Sequence, residues 1–137
     1  AMGRAARTEG IVLLVPSTYR SFEYQKVALA RAVESDGEEA ARKLVAEPGR
    51  SQHQLGTALD FGSIDASFDS TAAAAWLAQR AGEFGYSLSY PEGLEAVTGY
   101  SGESWHYRYL GQAACRLQAD YFAGLQQSLL LFLERYH

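Results

Sequence analysis

Short runs of apolar residues alternate with amphipathic stretches along the chain. Ile11-Val-Leu-Leu-Val15 is apolar and rich in β-branched residues, and it predicts a buried strand that ends before Pro16. Alternation of apolar with small or polar residues predicts two more strands, at 58–62 and at 86–90. A fourth strand, rich in Trp and Tyr, is predicted from Glu103 to Leu110.

Apolar residues at three- and four-residue spacing predict helices between and after these strands. They cover Phe22 to about Glu34, Glu38 to Ala46, a stretch that starts after Asp69 or Ser70 and ends near Phe84, and the chain from Gly111 onward, in one piece or in two joined near Gly124. Ser21 is a favourable N-cap for the first helix, and Asp36-Gly37 ends it. We expect Val27 and Val33 to contribute to its apolar faces.

Composition indicates one globular domain over residues 1–137, because 47% of the residues are hydrophobic and 20% are charged. The net charge of −4 and the absence of long basic runs argue against a nucleic-acid-binding surface. No apolar run approaches the roughly 18 residues of a membrane helix. The single cysteine, Cys115, excludes an intrachain disulfide and is expected to be a small buried hydrophobe. We interpret Ala1-Met2-Gly3 as a remnant of expression.

Two of the three histidines fall inside the most polar motifs of the chain. Ser51-Gln-His-Gln-Leu-Gly-Thr-Ala-Leu-Asp60 contains His53 and Asp60, and Glu103-Ser-Trp-His-Tyr-Arg-Tyr109 contains His106. Two imidazoles and one carboxylate are ligand types of a catalytic zinc ion, which keeps one position open for water. A carboxylate close to the last ligand, here that of Glu103, could accept a proton from that water.

Strand geometry restricts how these residues can meet. Alternation along residues 58–62 directs Asp60 towards a cleft and its two apolar neighbours into the core. In a regular strand Glu103 and His106 point to opposite faces, so a shared site requires a bend near Gly102-Glu103. Arg20, in the turn after the first strand, is a candidate for stabilising an oxyanion, and the alternative is a solvated turn arginine.

The motifs resemble those of the VanY-type D-alanyl-D-alanine carboxypeptidases, zinc peptidases that act on bacterial cell-wall peptides, and of the related L,D-carboxypeptidases. Every fixed position of the family's metal motif, Ser-x-His-x-x-Gly-x-Ala-x-Asp, is matched by Ser51, His53, Gly56, Ala58 and Asp60. The motif Glu-Pro-Trp-His-x-Arg-Tyr-x-Gly is matched by Glu103, Trp105, His106, Arg108, Tyr109 and Gly111. An upstream turn is matched by Ser17, Tyr19, Arg20, Ser21 and Gln25, and a Tyr-Pro-x-Gly…Thr-Gly segment by Tyr90, Pro91, Gly93, Thr98 and Gly99. The departures are Thr18 for Gly, Ser104 for Pro and Leu94 for a common Lys.

The resemblance implies roles for these residues. His53, Asp60 and His106 would bind one Zn2+ ion per chain, Glu103 would be the general base, and Arg20 would stabilise the oxyanion or hold the substrate. The residues expected to line the substrate pocket are Gln25, Ser51, Tyr90 and Trp105. The implied fold is α+β, a small antiparallel sheet with packed helices of the Hedgehog/D,D-peptidase type.

We therefore expect a zinc-dependent carboxypeptidase that removes C-terminal D-alanine from peptidoglycan stem peptides. The alternatives are an L,D-carboxypeptidase or a cross-link endopeptidase of the same family, a non-catalytic zinc-bound cell-wall binding module, and a metal-free cell-wall binding domain. The family's substrates lie outside the cytoplasmic membrane, which implies an extracytoplasmic location, with any signal or anchor outside this chain.

Overall fold

A three-stranded antiparallel sheet lies at the centre of the fold in the computed structural model, which describes residues 1–136. Its strands are β1 (Ala58–Asp60), β2 (Tyr86–Tyr90) and β3 (Glu103–Tyr109), and β3 lies between the other two. In the β1–β3 register, Asp60 stands opposite His106. The predicted α+β class with a small antiparallel sheet is confirmed.

Helices pack around this sheet. They are α1 (Met2–Thr8), α2 (Phe22–Asp36), α3 (Glu38–Leu44), α4 (Ala72–Arg80), α5 (Glu95–Thr98), α6 (Gln112–Tyr121) and α7 (Gln126–Tyr136). Ser21 caps α2 as predicted, because its Oγ accepts the Tyr24 N–H at 3.1 Å. The chain after Gly111 forms two helices, one of the two expected arrangements, and α1 was not predicted. No helix within residues 1–136 is long and apolar enough to cross a membrane.

The hydrophobic core lies against the face of β1 and β3 that points away from Asp60 and His106. Phe61 and Tyr107 meet edge to face there, with ring centroids 5.7 Å apart. Other buried members of this core are Met2, Ala6, Phe68, Ala74, Trp76, Leu77 and Ala81. Each large apolar side chain buried in this way contributes about 1.5–3 kcal/mol. Cys115 is buried on α6, as predicted.

The predicted strand at Ile11–Val15 is wrong. This segment belongs to no strand, and Val12 and Leu14 are 62% and 65% exposed. The chain from this segment to Ser17 runs along the edge of β1. The Gly62 N–H donates to the Leu14 carbonyl and the Asp60 N–H donates to the Ser17 carbonyl, both at 3.0 Å. Because only one side of the segment packs on the core, its continuous apolar run gave a misleading signal of full burial.

Two helix predictions also need correction. Val27 and Val33 are exposed, and Gln25 is the buried residue of α2. The helix lies on the surface and directs Gln25 towards the cleft described below, so its buried position is polar. The cap of α4 is Thr71, whose Oγ1 accepts the Ala74 N–H at 3.1 Å, because residues 66–70 form a separate 3₁₀ turn.

Candidate metal centre

A short 3₁₀ turn, Gln52–Leu55, places His53 in the protein interior, where it is 2% exposed. Gly56 ends the turn with φ +69°, a left-handed conformation that glycine adopts without steric cost. The Nδ1 atom of His53 lies 2.5 Å from the Thr18 carbonyl oxygen. Since a carbonyl can only accept, Nδ1 donates, and the lone pair of Nε2 faces the site. Thr18 thus orients His53 through its backbone carbonyl, so the replacement of the family's glycine by threonine does not remove this contact.

Asp60 and His106 face each other across β1 and β3, and both are buried, at 1% and 4% exposed. One Asp60 oxygen, Oδ2, lies 3.2 Å from His53 Nε2, and the other, Oδ1, lies 3.0 Å from His106 Nδ1. The second nitrogen of His106, Nε2, lies 3.2 Å from the Gln52 Oε1 acceptor. When His106 Nε2 donates to Gln52, the lone pair of Nδ1 points towards Asp60, as that of His53 Nε2 does.

This arrangement fits a zinc ion. The three candidate ligand atoms all lie within 4.8 Å of one another. Tetrahedral ligands at about 2.0–2.1 Å from zinc are themselves roughly 3.3 Å apart, and each histidine nitrogen lies at a similar distance from its nearer Asp60 oxygen, 3.2 Å for His53 and 3.0 Å for His106. Within residues 1–136, buried His53 Nε2 and Asp60 Oδ1 have no hydrogen-bond partner. A cation between these groups would satisfy their lone pairs, and the outer hydrogen bonds to Thr18 and Gln52 are those expected around metal-binding imidazoles.

The protonation states of two of these side chains suit metal binding. Burial acts to raise the pKa of Asp60, but the adjoining His106 and His53 outweigh it and hold the pKa of this carboxyl well below its usual range. Burial lowers the pKa of His106, against the opposing effect of Asp60. The site therefore contains a carboxylate and a neutral imidazole, the forms in which these groups bind metals.

Glu103 joins the site because β3 is irregular. Leu88 pairs with Tyr107 and Tyr90 with Glu103, so positions two apart on β2 face positions four apart on β3. This bulge places Glu103 Oε2 3.5 Å from His106 Nδ1. The expected bend therefore exists, but it follows Glu103 rather than preceding it. Burial and the charge of Asp60 raise the pKa of Glu103 to about 8, against the effect of Arg20. A cation at the neighbouring metal position would lower this pKa again and favour the carboxylate, the form that can accept a proton.

Arg20 is fixed on the other side of Asp60. Its Nη2 donates to Asp60 Oδ2 at 2.8 Å and to Ser17 Oγ at 3.0 Å, and its backbone N–H donates to the His53 carbonyl at 3.2 Å. The guanidinium is therefore part of the buried site and not a solvated turn group. Of the residues the structure describes, Arg20 is the one Lys or Arg that lines the cleft.

A cleft of about 140 Å³ lies above these groups and is lined by all nine predicted site residues. The predicted pocket residues among them are Gln25, Ser51, Tyr90 and Trp105. Gln25 donates to the Ala46 carbonyl at 2.8 Å, and the ring centroid of Tyr90 lies 4.9 Å from that of His106.

The sequence reasoning missed other lining residues. They are Leu44, Val45, Ala46, Gln52, Ile64 and Tyr100. Gln52 could have been found, since it lies between two motif positions. The others carry no motif signal, and only the fold brings them to the cleft.

Comparisons with known proteins identify the family to which the chain is similar. A family model described as "VanY: D-alanyl-D-alanine carboxypeptidase" matches residues 1–112. A D-alanyl-D-alanine carboxypeptidase of Enterococcus faecalis is 36% identical over 123 residues, which are 82% of this chain and 46% of that protein. The chain spans about half the length of the curated relatives it matches.

Solved structures share the fold. The LdcB LD-carboxypeptidase is 36% identical with a TM-score of 0.80, covering 91% of this chain and 64% of that one. VanYB in complex with D-alanine-D-alanine is 33% identical with a TM-score of 0.81, covering 95% and 76%. A VanY D,D-pentapeptidase mutant from a VanB-type resistance cassette, solved with Zn(II), has the same identity and TM-score and covers 95% and 77%.

Proposed function

Since the chain belongs to the VanY family of D-alanyl-D-alanine carboxypeptidases, we propose that it is a zinc metallopeptidase that removes the C-terminal D-alanine from peptidoglycan stem peptides. The observation that carries the proposal is the convergence of His53, Asp60 and His106 beside a buried carboxylate and a fixed guanidinium in one cleft. A binding module would need the three ligands but not the carboxylate of Glu103 or the charge of Arg20.

The residues of the cleft divide the work of amide hydrolysis. A zinc ion held by His53, Asp60 and His106 would supply Lewis acidity towards the scissile carbonyl and the attacking water. Glu103, directed into the cleft beside His106, takes a proton from the water and returns it to the leaving amine. The guanidinium of Arg20 lies at the cleft and can stabilise the oxyanion that forms at the attacked carbon.

The size and charge of the cleft support a small terminal residue as the leaving group. Its volume of about 140 Å³ is below the roughly 300–1,000 Å³ of pockets that take drug-sized ligands. Arg20 is placed to attract a peptide carboxylate, and Tyr90 and Trp105 offer apolar surface beside it. The matching family model and the Enterococcus faecalis relative are both D-alanyl-D-alanine carboxypeptidases, and VanYB, which is similar to this chain, was solved with D-alanine-D-alanine bound; together these support a D-Ala-D-Ala terminus.

We also propose that the protein acts outside the cytoplasmic membrane, because peptidoglycan stem peptides are accessible there. The similarity to D-alanyl-D-alanine carboxypeptidases supports this location.

The experiment is to measure D-alanine release from two peptides, one ending in L-Lys-D-Ala-D-Ala and the other in L-Lys-D-Ala. We expect release from the first alone, abolished by a metal chelator. Release from the second alone would identify an L,D-carboxypeptidase, as LdcB is named. If zinc binds and neither peptide is cut, cleavage of a cross-linked dimer would identify an endopeptidase, and no cleavage at all would leave the binding module.

A further inference from the structure

A buried polar network joins helix α7 to the metal centre. Gln126, the first residue of α7, is 2% exposed, and Ser89 of β2 is 4% exposed. Both side chains contact that of Gln52, which in turn contacts His106. Gln126 lies beyond residues 1–112, the part of the chain that matches the family model. A buried glutamine on a separate helix is costly unless its hydrogen bonds serve the fold or the site.

The Ser87 carbonyl, at one end of this network, determines which atom donates in each of its hydrogen bonds. The Ser87 carbonyl can only accept, so the atom of Gln126 that lies 3.3 Å from it is the amide nitrogen Nε2. The same NH2 group donates to Ser89 Oγ at 3.2 Å. The Oε1 atom of Gln126 then faces Gln52 and accepts from its Nε2 at 3.4 Å.

This orientation turns the Oε1 atom of Gln52 towards the metal centre. There it accepts the Ser89 hydroxyl proton at 2.7 Å and faces His106 Nε2 at 3.2 Å. An amide oxygen cannot donate, so a hydrogen bond at this position requires the proton of His106 on Nε2. At the other ring nitrogen, Asp60 Oδ1 lies 3.0 Å from Nδ1 and would accept a proton placed there, so the two tautomers differ in whether Gln52 or Asp60 receives the hydrogen bond of His106.

We infer that Gln126, Ser89 and Gln52 are positioning residues that fix the tautomer of His106, with the proton on Nε2 and the Nδ1 lone pair directed at the metal position. The importance of this tautomer for metal binding rests on the proposed function, whereas the tautomer itself does not. Helix α7 thereby takes part in building the metal centre, although within residues 1–136 none of its residues lines the cleft or is hydrogen-bonded to a candidate ligand.

The tautomer can be read directly by NMR in the zinc-free protein at pH 8, from the ¹⁵N shifts of the imidazole nitrogens in a long-range ¹H–¹⁵N spectrum. The chain has three histidines, so the signals can be assigned with single substitutions. We expect His106 of the wild type to be protonated at Nε2, and Gln52→Leu to shift it towards a mixture of tautomers. A wild-type His106 protonated at Nδ1 would overturn the inference.

The second readout is zinc affinity, measured by competition with a chromophoric chelator. We expect Gln52→Leu to weaken binding about 10- to 100-fold, the usual effect of losing an outer hydrogen-bond partner. Gln52→Glu keeps an acceptor oxygen and should retain most of the affinity. Gln126→Leu and Ser89→Ala should each weaken zinc binding less than Gln52→Leu does. The double variant that carries both substitutions should lose less zinc binding free energy than the sum of the two single losses, because both residues act through one network.

Gln127→Leu is the matched control, because it is the same substitution at the next position of α7. No side-chain hydrogen bond of Gln127 is found in the part of the chain that the structure describes. Wild-type affinity in this control and in both network variants would refute the role of α7. Should Gln126→Leu fail to fold, Ser89→Ala still tests the network. A wild type with the expected tautomer but no zinc binding would refute the proposed function and support the tautomer assignment.

Discussion

Replacing Glu103 by glutamine separates catalysis from metal binding. The substitution keeps the shape of the side chain, and none of the three candidate ligands is changed. The Glu103 carboxylate lies 3.5 Å from His106 Nδ1 and is buried in the cleft, so it is close enough to exchange a proton with a water beside the metal position. Glutamine cannot accept a proton at neutral pH. We expect the variant to bind zinc as the wild type does and to lose nearly all turnover.

The size of the loss follows from the role. A positioned general acid–base group contributes typically 10²- to 10⁴-fold to the rate, so kcat should fall by about that factor, or roughly 2.7–5.4 kcal/mol in activation free energy. The assay is D-alanine release from a peptide ending in D-Ala-D-Ala, with zinc content determined on the same samples. Glu95→Gln, at an exposed position of α5, is the matched control and should behave as the wild type. A Glu103→Gln variant with activity within tenfold of wild type would remove Glu103 from the mechanism.

Three further predictions concern the ligands, the bulge and the core. His106→Ala should lose both zinc and activity, and full zinc occupancy by elemental analysis would mean that the ligand assignment is wrong. Gly102→Ala should lower kcat about 10- to 100-fold, because its Cβ would lie 2.9 Å from Glu92 Cα and displace the adjoining Glu103. Gly3→Ala is the control and should not change kcat, because a Cβ at Gly3 would meet no atom within 4 Å. Phe61→Ala should lower the free energy of unfolding in urea by about 3–5 kcal/mol, while exposed Val12→Ala should stay within about 0.5 kcal/mol, and equal effects of the two would contradict the assignment of the core.

The sequence was most informative where spacing and strand periodicity agree. His53 and Asp60 are seven residues apart with a glycine between them, and alternation along β1 directs Asp60 away from the core. Both properties are local, so they can be read without knowing the fold. The position of Glu103 could be predicted only in part. The odd spacing between Glu103 and His106 shows that the strand must bend, but where it bends depends on how β3 pairs with β2.

Other features depend on contacts between distant segments. Ile11–Val15 has the composition of a buried strand, but its place at the edge of β1 leaves Val12, Leu14 and Val15 exposed. Gln126 reads as an ordinary polar residue at the start of a helix. Its importance comes from packing against β2, which places its amide next to Ser87 and Ser89, and no spacing in the sequence indicates that contact.

The most direct test of the account is to titrate the zinc-free protein with zinc while measuring D-alanine release from a peptide ending in L-Lys-D-Ala-D-Ala. We predict that the zinc-free protein is inactive and that activity rises linearly to a plateau at one zinc ion per chain. His53→Ala and His106→Ala should show no rise. Activity in the zinc-free protein, or full zinc binding without any D-alanine release, would contradict the assignment of this centre as the catalytic site of a zinc D,D-carboxypeptidase.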